Sequence, residues 1–144
     1  RADADRDRQS VPVMVFVDSN VPMYAAGAPH PNKDACLQFL ARAHSGEFQA
    51  VTSTEVLQEI LHRYHRLGRP DVAARVYELV VQLSAEVLPV TIADTDLCID
   101  LLGDDGGSVR NALHAAVMRN NGVEVVASYD AGFTAFGVQF WPLG

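Results

Sequence analysis

The sequence predicts an α/β protein built on a mainly parallel sheet, and three observations carry that expectation. Val13–Val17 is a continuous apolar run of β-formers, the composition of a strand covered on both faces, and it stops at Asp18-Ser19-Asn20. Val123–Ser128 reads as a second buried strand and is followed by Tyr129-Asp130. Between the two lie stretches whose apolar residues recur at helical spacing, and strands that alternate with helices pair in parallel. Ligands of such sheets bind beyond the carboxyl ends of the strands, which is where Asp18 and Asp130 fall.

The elements follow in order. After the first strand, Val21 to Pro31 holds three prolines and Gly27 and reads as a short helical turn and a loop. From Asn32, residues Cys36, Phe39, Leu40 and Ala43 mark the buried face of a helix that Gly46 stops, and Phe48–Val51 is a short strand. Thr52-Ser53-Thr54-Glu55 matches a capping box in which Thr52 caps and Glu55 reaches back. The helix it opens carries Leu57, Ile60, Leu61 and Tyr64 as its core stripe, with Glu59 at the stripe's border near the strand ends. Pro70 starts another helix with Val72, Val76, Leu79, Val80 and Leu83 on one face, before a strand at Glu86–Val90. Thr91 or Asp94 caps a short helix closed by Gly103. Gly106-Gly107 is a break, and Ser108 caps the helix from Val109 to Met118, whose Ala112, Ala115 and Ala116 form a small face suited to close approach to a sheet. A short final strand begins at Gly137 and is terminated by Pro142.

The composition is that of a soluble globular domain: 144 residues, 49% hydrophobic, 20% charged. Residues 1–10, with alternating charges and no apolar centre, read as a flexible leader or an expression remnant outside the fold, and no stretch is long enough for a membrane span. The expected compartment is the cytoplasm. Cys36 and Cys98 lie in helical patterns and read as core thiols with no disulfide and no zinc site. A net charge of −7 argues against a general nucleic-acid coat. The exception is His62–Arg69, a basic run in which Arg63, Arg66 and Arg69 suit either a phosphate backbone or the carboxyl end of a solvated helix.

Asp18, Glu59, Asn111 and Asp130 all belong near one end of the sheet. Asn111 sits in the first turn of its helix, and His114 reads as a packed or surface residue rather than a base. With these residues in place, the chain resembles PIN-domain proteins, and more narrowly the VapC-type toxins of bacterial toxin–antitoxin pairs. The resemblance runs from Val13 to Leu143. It rests on Val15–Asn20, on Thr52-Ser53-Thr54 with Glu59, on Asn111–Ala116, and on Ser128-Tyr129-Asp130 with Gly132-Phe133.

The resemblance implies a PIN-like three-layer α/β/α domain over residues 11–144 and a Mg²⁺- or Mn²⁺-dependent endoribonuclease. Asp18, Glu59, Asn111 and Asp130 would be its catalytic residues, with Asp18, Asn111 and Asp130 on the metal and Ser128 as an auxiliary hydroxyl. It also implies a cognate antitoxin, an RNA substrate, a homodimer, and contacts to RNA or antitoxin through Arg63, Arg66 and Arg69. Asn111 departs from the family's Asp: it keeps one carbonyl ligand and loses the charge, which weakens the hold on a hard dication. It reads first as a substitution that disarms a toxin, and second as native to a protein of low activity. A non-catalytic PIN-like module that holds RNA or protein is the alternative. A phosphotransfer receiver would need a Lys after its acids, and Lys33 is the only one.

Overall fold

A computed structural model describes residues 12–103 and 106–144. The expected leader and the acids Asp104 and Asp105 therefore lie outside the described residues. Five strands, β1 (Met14–Val17), β2 (Gln49–Ser53), β3 (Glu86–Leu88), β4 (Val125–Ala127) and β5 (Gln139–Phe140), form one sheet in the order β3-β2-β1-β4-β5. All four pairings are parallel. Six helices connect them: α1 (Asn20–Ala26), α2 (Lys33–His44), α3 (Thr54–Arg66), α4 (Pro70–Leu83), α5 (Ile92–Leu102) and α6 (Val109–Asn120), with a 3-10 helix at Ala131–Phe136.

The two-residue alternation of β1 divides the core. Phe16, with Val51 and Val126 of the neighbouring strands, packs against α3, α4 and α6 through Val56, Ile60, Val76, Val80, Val117 and Met118. Val15 and Val17, with Ala50 and Ala127, pack on the opposite face against Val21, Cys36, Phe39 and Leu40 of α1 and α2. The central strand is buried on both faces, as its composition predicts, and the architecture is the expected three-layer α/β/α. Trp141 closes the second face against Phe48, 4.7 Å between ring centroids, so its role is packing. Cys36 and Cys98 are buried free thiols.

Three expectations are corrected. The cap of α3 is Ser53, whose hydroxyl accepts from Val56 N–H at 3.3 Å, and Thr52 instead lies buried in β2 with its hydroxyl donating to the Val17 carbonyl. The strand runs two residues further than the β-formers alone indicate, because the parallel register with β3 recruits Thr52 and Ser53 into the sheet. On α4, Leu79 is 43% exposed and Ala73 takes its place in the core. Finally, Ala112, Ala115 and Ala116 of α6 pack on Cys98 of α5 and on Phe136, while Val117 and Met118 take the sheet side. The small face admits a neighbouring helix rather than the sheet. Asp94 and Thr91 do cap α5 together, Asp94 Oδ2 accepting the Thr91 N–H at 2.8 Å.

The cap assignment makes a direct test. Ser53→Ala is expected to lower the unfolding free energy by about 1 kcal/mol in urea melts. Glu55→Ala should stay within about 0.5 kcal/mol of the parent; the reverse order, a cost at Glu55 and none at Ser53, would restore the capping box centred on Thr52.

Candidate active site

Beyond the carboxyl ends of β1 and β4, side chains from four segments meet. Asp18 follows β1 directly and is fully buried. Its Oδ1 accepts the Ser19 backbone N–H at 2.7 Å, and its Oδ2 accepts the Ser128 hydroxyl at 2.6 Å and the Asn20 amide at 3.3 Å. Asn20 also donates to Ser128 Oγ at 3.1 Å, and Ser128 Oγ accepts the Asp130 N–H at 3.0 Å. The auxiliary hydroxyl predicted at Ser128 therefore ties the two strand ends together through Asp18.

Asp130 lies three residues beyond β4, at the cap of the 3-10 helix, where Oδ1 accepts from Gly132 N–H at 2.8 Å. Asn111 is buried in the first turn of α6, behind the Ser108 cap that accepts its N–H at 3.0 Å. Its amide donates to Asp130 Oδ2 at 3.0 Å. Gly132 permits that approach, since a Cβ there would stand 2.7 Å from Asn111 Nδ2 and 3.0 Å from Asp130 Oδ1. Glu59 projects from α3 toward the same place. The four residues named from the sequence are thus brought together.

Two members of the site were not named for it. Arg110, in the first turn of α6, threads its guanidinium among the acids. Nε and Nη2 both donate to Glu59, at 2.5 and 3.2 Å, and Nη2 reaches Asp18 Oδ1 at 2.5 Å. Nη1 donates to Asn111 Oδ1 at 2.8 Å and lies 3.5 Å from Asp130 Oδ2. A signal for it existed in the sequence: a cation in the first turn of a helix opposes the macrodipole and calls for an acidic partner elsewhere. His114 is packed, as expected, between Phe16 and Phe133, yet its Nε2 also meets Glu59 Oε1 at 3.2 Å. A carboxylate only accepts, so Nε2 carries the hydrogen, and the buried Nδ1 has no partner among the described residues.

These contacts set the charge states. Burial pushes the Glu59 carboxyl up, but the His114 hydrogen bond and Arg110 outweigh it and hold it below the usual range. The Asn111 amide, followed by the Gly132 N–H, lowers the Asp130 carboxyl against the opposing effect of burial. Burial works against the Arg110 charge, yet Asp18 and Glu59 more than restore it.

The donor set fits a hard dication. Asp18, Glu59 and Asp130 offer carboxylate oxygens and Asn111 a carbonyl oxygen; the atoms within 4.8 Å of one another are those of Asp18, Glu59 and His114, while Asp130 and Asn111 join this group through Arg110. Beside the acids runs a groove of about 570 Å³ lined by Ser19, Tyr24, Glu59, His62, Arg63 and Arg110 among others. Of the basic run, Arg63 lines this groove. Arg66 is exposed at the end of α3, and Arg69 pairs with Asp71 at 3.5 Å.

Two measurements probe this geometry. A carboxylate lowered by folding stabilises the protein above its ordinary pKa, and that contribution is lost as pH falls through the folded value. The urea midpoint of the metal-free protein should therefore hold from pH 7 to 5 and drop below about pH 4, with a shallower drop in Glu59→Gln. A midpoint that rises on acidification would contradict the charge assignment. Gly132→Ala should cost about 1–3 kcal/mol by overpacking Asn111 and Asp130, and unchanged stability would show that the loop yields.

Comparison with known proteins places this arrangement. The family model described as PIN domain matches residues 15–138. The ribonuclease VapC13 of Mycobacterium tuberculosis is 40% identical over 124 residues, covering 85% of this chain and 95% of that protein. Among solved structures, VapC20 of M. tuberculosis, described as a toxin that cleaves the sarcin-ricin loop, superposes with a TM-score of 0.69 at 24% identity over 86% of this chain and 95% of its own. VapBC2 of Rickettsia felis, solved with a DNA fragment from its promoter, gives 0.69 at 13% identity, covering 90% of this chain and 98% of that one. The two structures speak for the fold; the family match and the sequence relative speak for descent, and by both the protein belongs to the PIN domain family.

Proposed function

We propose that the chain is a Mg²⁺- or Mn²⁺-dependent endoribonuclease of the toxin type, restrained by a cognate antitoxin. One observation carries the reading. Three carboxylates and Asn111 converge beyond β1 and β4, in a PIN-family chain 40% identical to a relative named as a ribonuclease.

Asp18, Asp130 and the Asn111 carbonyl are the residues that would hold the cation. When bound, such an ion neutralises charge on a phosphodiester and makes a water more acidic. Glu59, half-buried and pinned by His114, is placed to accept a hydrogen bond from the attacking water and to orient it. Asp18 is held rigidly by Ser19, Asn20 and Ser128, so its carboxylate is already aimed before any ligand arrives. Asn111 is the weak corner: it offers one neutral oxygen, and its amide spends a hydrogen bond on Asp130.

RNA would lie along the groove, where Arg63 and, further along α3, Arg66 offer cations to its phosphates. The antitoxin would cover the same acids and arginines, and a homodimer would set two such sites side by side. Residues 11–144 would form the one domain that does this, in the cytoplasm. No helix among the described residues is long and apolar enough to cross a membrane. A second reading, a module that binds RNA or protein without cutting, is favoured by Arg110, whose guanidinium fills the space between the acids.

Cleavage assays decide between the two. Asn111→Asp is expected to raise metal-dependent RNA cleavage on the order of tenfold or more, the scale on which changes around metal ligands act. Asp18→Ala should abolish it, as should chelation. Equal cleavage by the parent and Asn111→Asp across a Mn²⁺ titration would remove Asn111 from the site, and RNA binding with no cutting in either would establish the module.

A further inference from the structure

The acids of the site already have a cation. All three nitrogens of Arg110 are engaged, with Asp18, Glu59, Asn111 and Asp130 as partners, and Nη2 also lies 3.2 Å from Ser19 Oγ. The guanidinium stands where the oxygens of the donor set face one another. Three carboxylates against one guanidinium leave two negative charges, and a dication in the guanidinium's place would leave one. A guanidinium and a dication repel each other strongly over a few ångströms, so both cannot occupy that centre.

Arg110 also has somewhere to go. Its side chain is 35% exposed, whereas that of Asp18 is fully buried and that of Glu59 is 15% exposed. The exposed edge opens onto the groove beside the acids. Anchored at the start of α6, a long flexible side chain can move from the acids to the groove without any change in the backbone that carries Asn111.

We propose that Arg110 is a positioning residue with two seats, and that Mg²⁺ or Mn²⁺ enters by exchange with its guanidinium. In the first seat it keeps the carboxylates converged against their mutual repulsion. In the second it lies in the groove, where its charge faces the phosphates of the substrate. The inference rests on the metal-dependent reading above, and it assigns to this chain's own side chain the part of a tethered competitor for the cation.

The test is Mn²⁺ affinity, by calorimetry or by electron paramagnetic resonance of free Mn²⁺, on the full chain with no RNA present. Arg110→Gln should bind Mn²⁺ about tenfold more tightly than the parent, the factor carried by one charge-assisted hydrogen bond. Its metal-free Tm should be lower, and saturating Mn²⁺ should raise that Tm by more than it raises the parent's. Damage to the fold alone would weaken binding rather than tighten it. In the parent, free of any variant's folding, the Arg110 Nε–H NMR signal should lose its protection from exchange as Mg²⁺ saturates. Equal or weaker Mn²⁺ affinity in Arg110→Gln, or an Arg110 signal unmoved at saturation, overturns the exchange. If the parent binds Mn²⁺ and Asp18→Ala does not, the metal site stands and only the role of Arg110 falls. No Mn²⁺ binding by the parent and by Arg110→Gln alike overturns both.

Discussion

The buried carboxylate of Asp18 is the constraint on which the rest of the site depends. Removing an ion from water costs several kcal/mol unless it is fully partnered, and Asp18 is 0% exposed. It has four donors: the Ser19 N–H, the Ser128 hydroxyl, the Asn20 amide and Arg110. At about 1.5–3 kcal/mol for each hydrogen bond to a charged group, the set is sufficient to offset that cost. Satisfying the carboxylate therefore fixes where β1 ends relative to β4, and it draws the first turn of α6 toward the same point. By contrast, the ion pair of Arg42 with Glu47, at 2.7 Å as close as the Ser19 contact to Asp18 but half exposed on both sides, contributes about 0–1 kcal/mol. Burial, not distance, decides which of these interactions organises the molecule.

Much of this was legible in the sequence, for a physical reason. Strands covered on both faces announce themselves by continuous apolar runs, and parallel topology forces their carboxyl ends to one edge, so Asp18 and Asp130 could be placed without coordinates. Glu59 and Asn111 followed from their positions in the first two turns of helices that start at that edge. Local chemistry misled where tertiary pairing overrode it. Thr52-Ser53-Thr54-Glu55 has the spacing of a capping box, but strand pairing with Leu88 carries Ser53 into β2 and moves the cap by one residue. The alanines of α6 likewise promise a close approach without saying to what. For Arg110 the sequence signalled a need for an acidic partner without saying which: a long side chain has many directions, and only the assembled acids select one.

His114 joins the two cores of the problem, packing and chemistry. Its ring is counted among the aromatic side chains of Phe16 and Phe133, which lock its orientation, and its Nε2 transmits that orientation to Glu59. A residue that reads as a core histidine can thus hold an acid of the candidate site in place, and the two descriptions are not alternatives. Among the described residues the ring is held by packing and by one hydrogen bond, which leaves Glu59 dependent on the apolar cage around its partner.

The absence of a side chain at Gly132 has a consequence for how this site can change over generations. Asn111 and Asp130 meet across a space that a methyl group would fill. An exchange of Asn for Asp at 111 needs one nucleotide and no additional volume; it adds a negative charge and sets a second carboxylate against Asp130 where the amide now donates. A side chain at 132 would instead push the two partners apart, and recovery would require coordinated changes on both α6 and the loop after β4. One position can change its charge without changing its volume, while its neighbour has no room for any side chain, and the difference is the room taken by a single carbon.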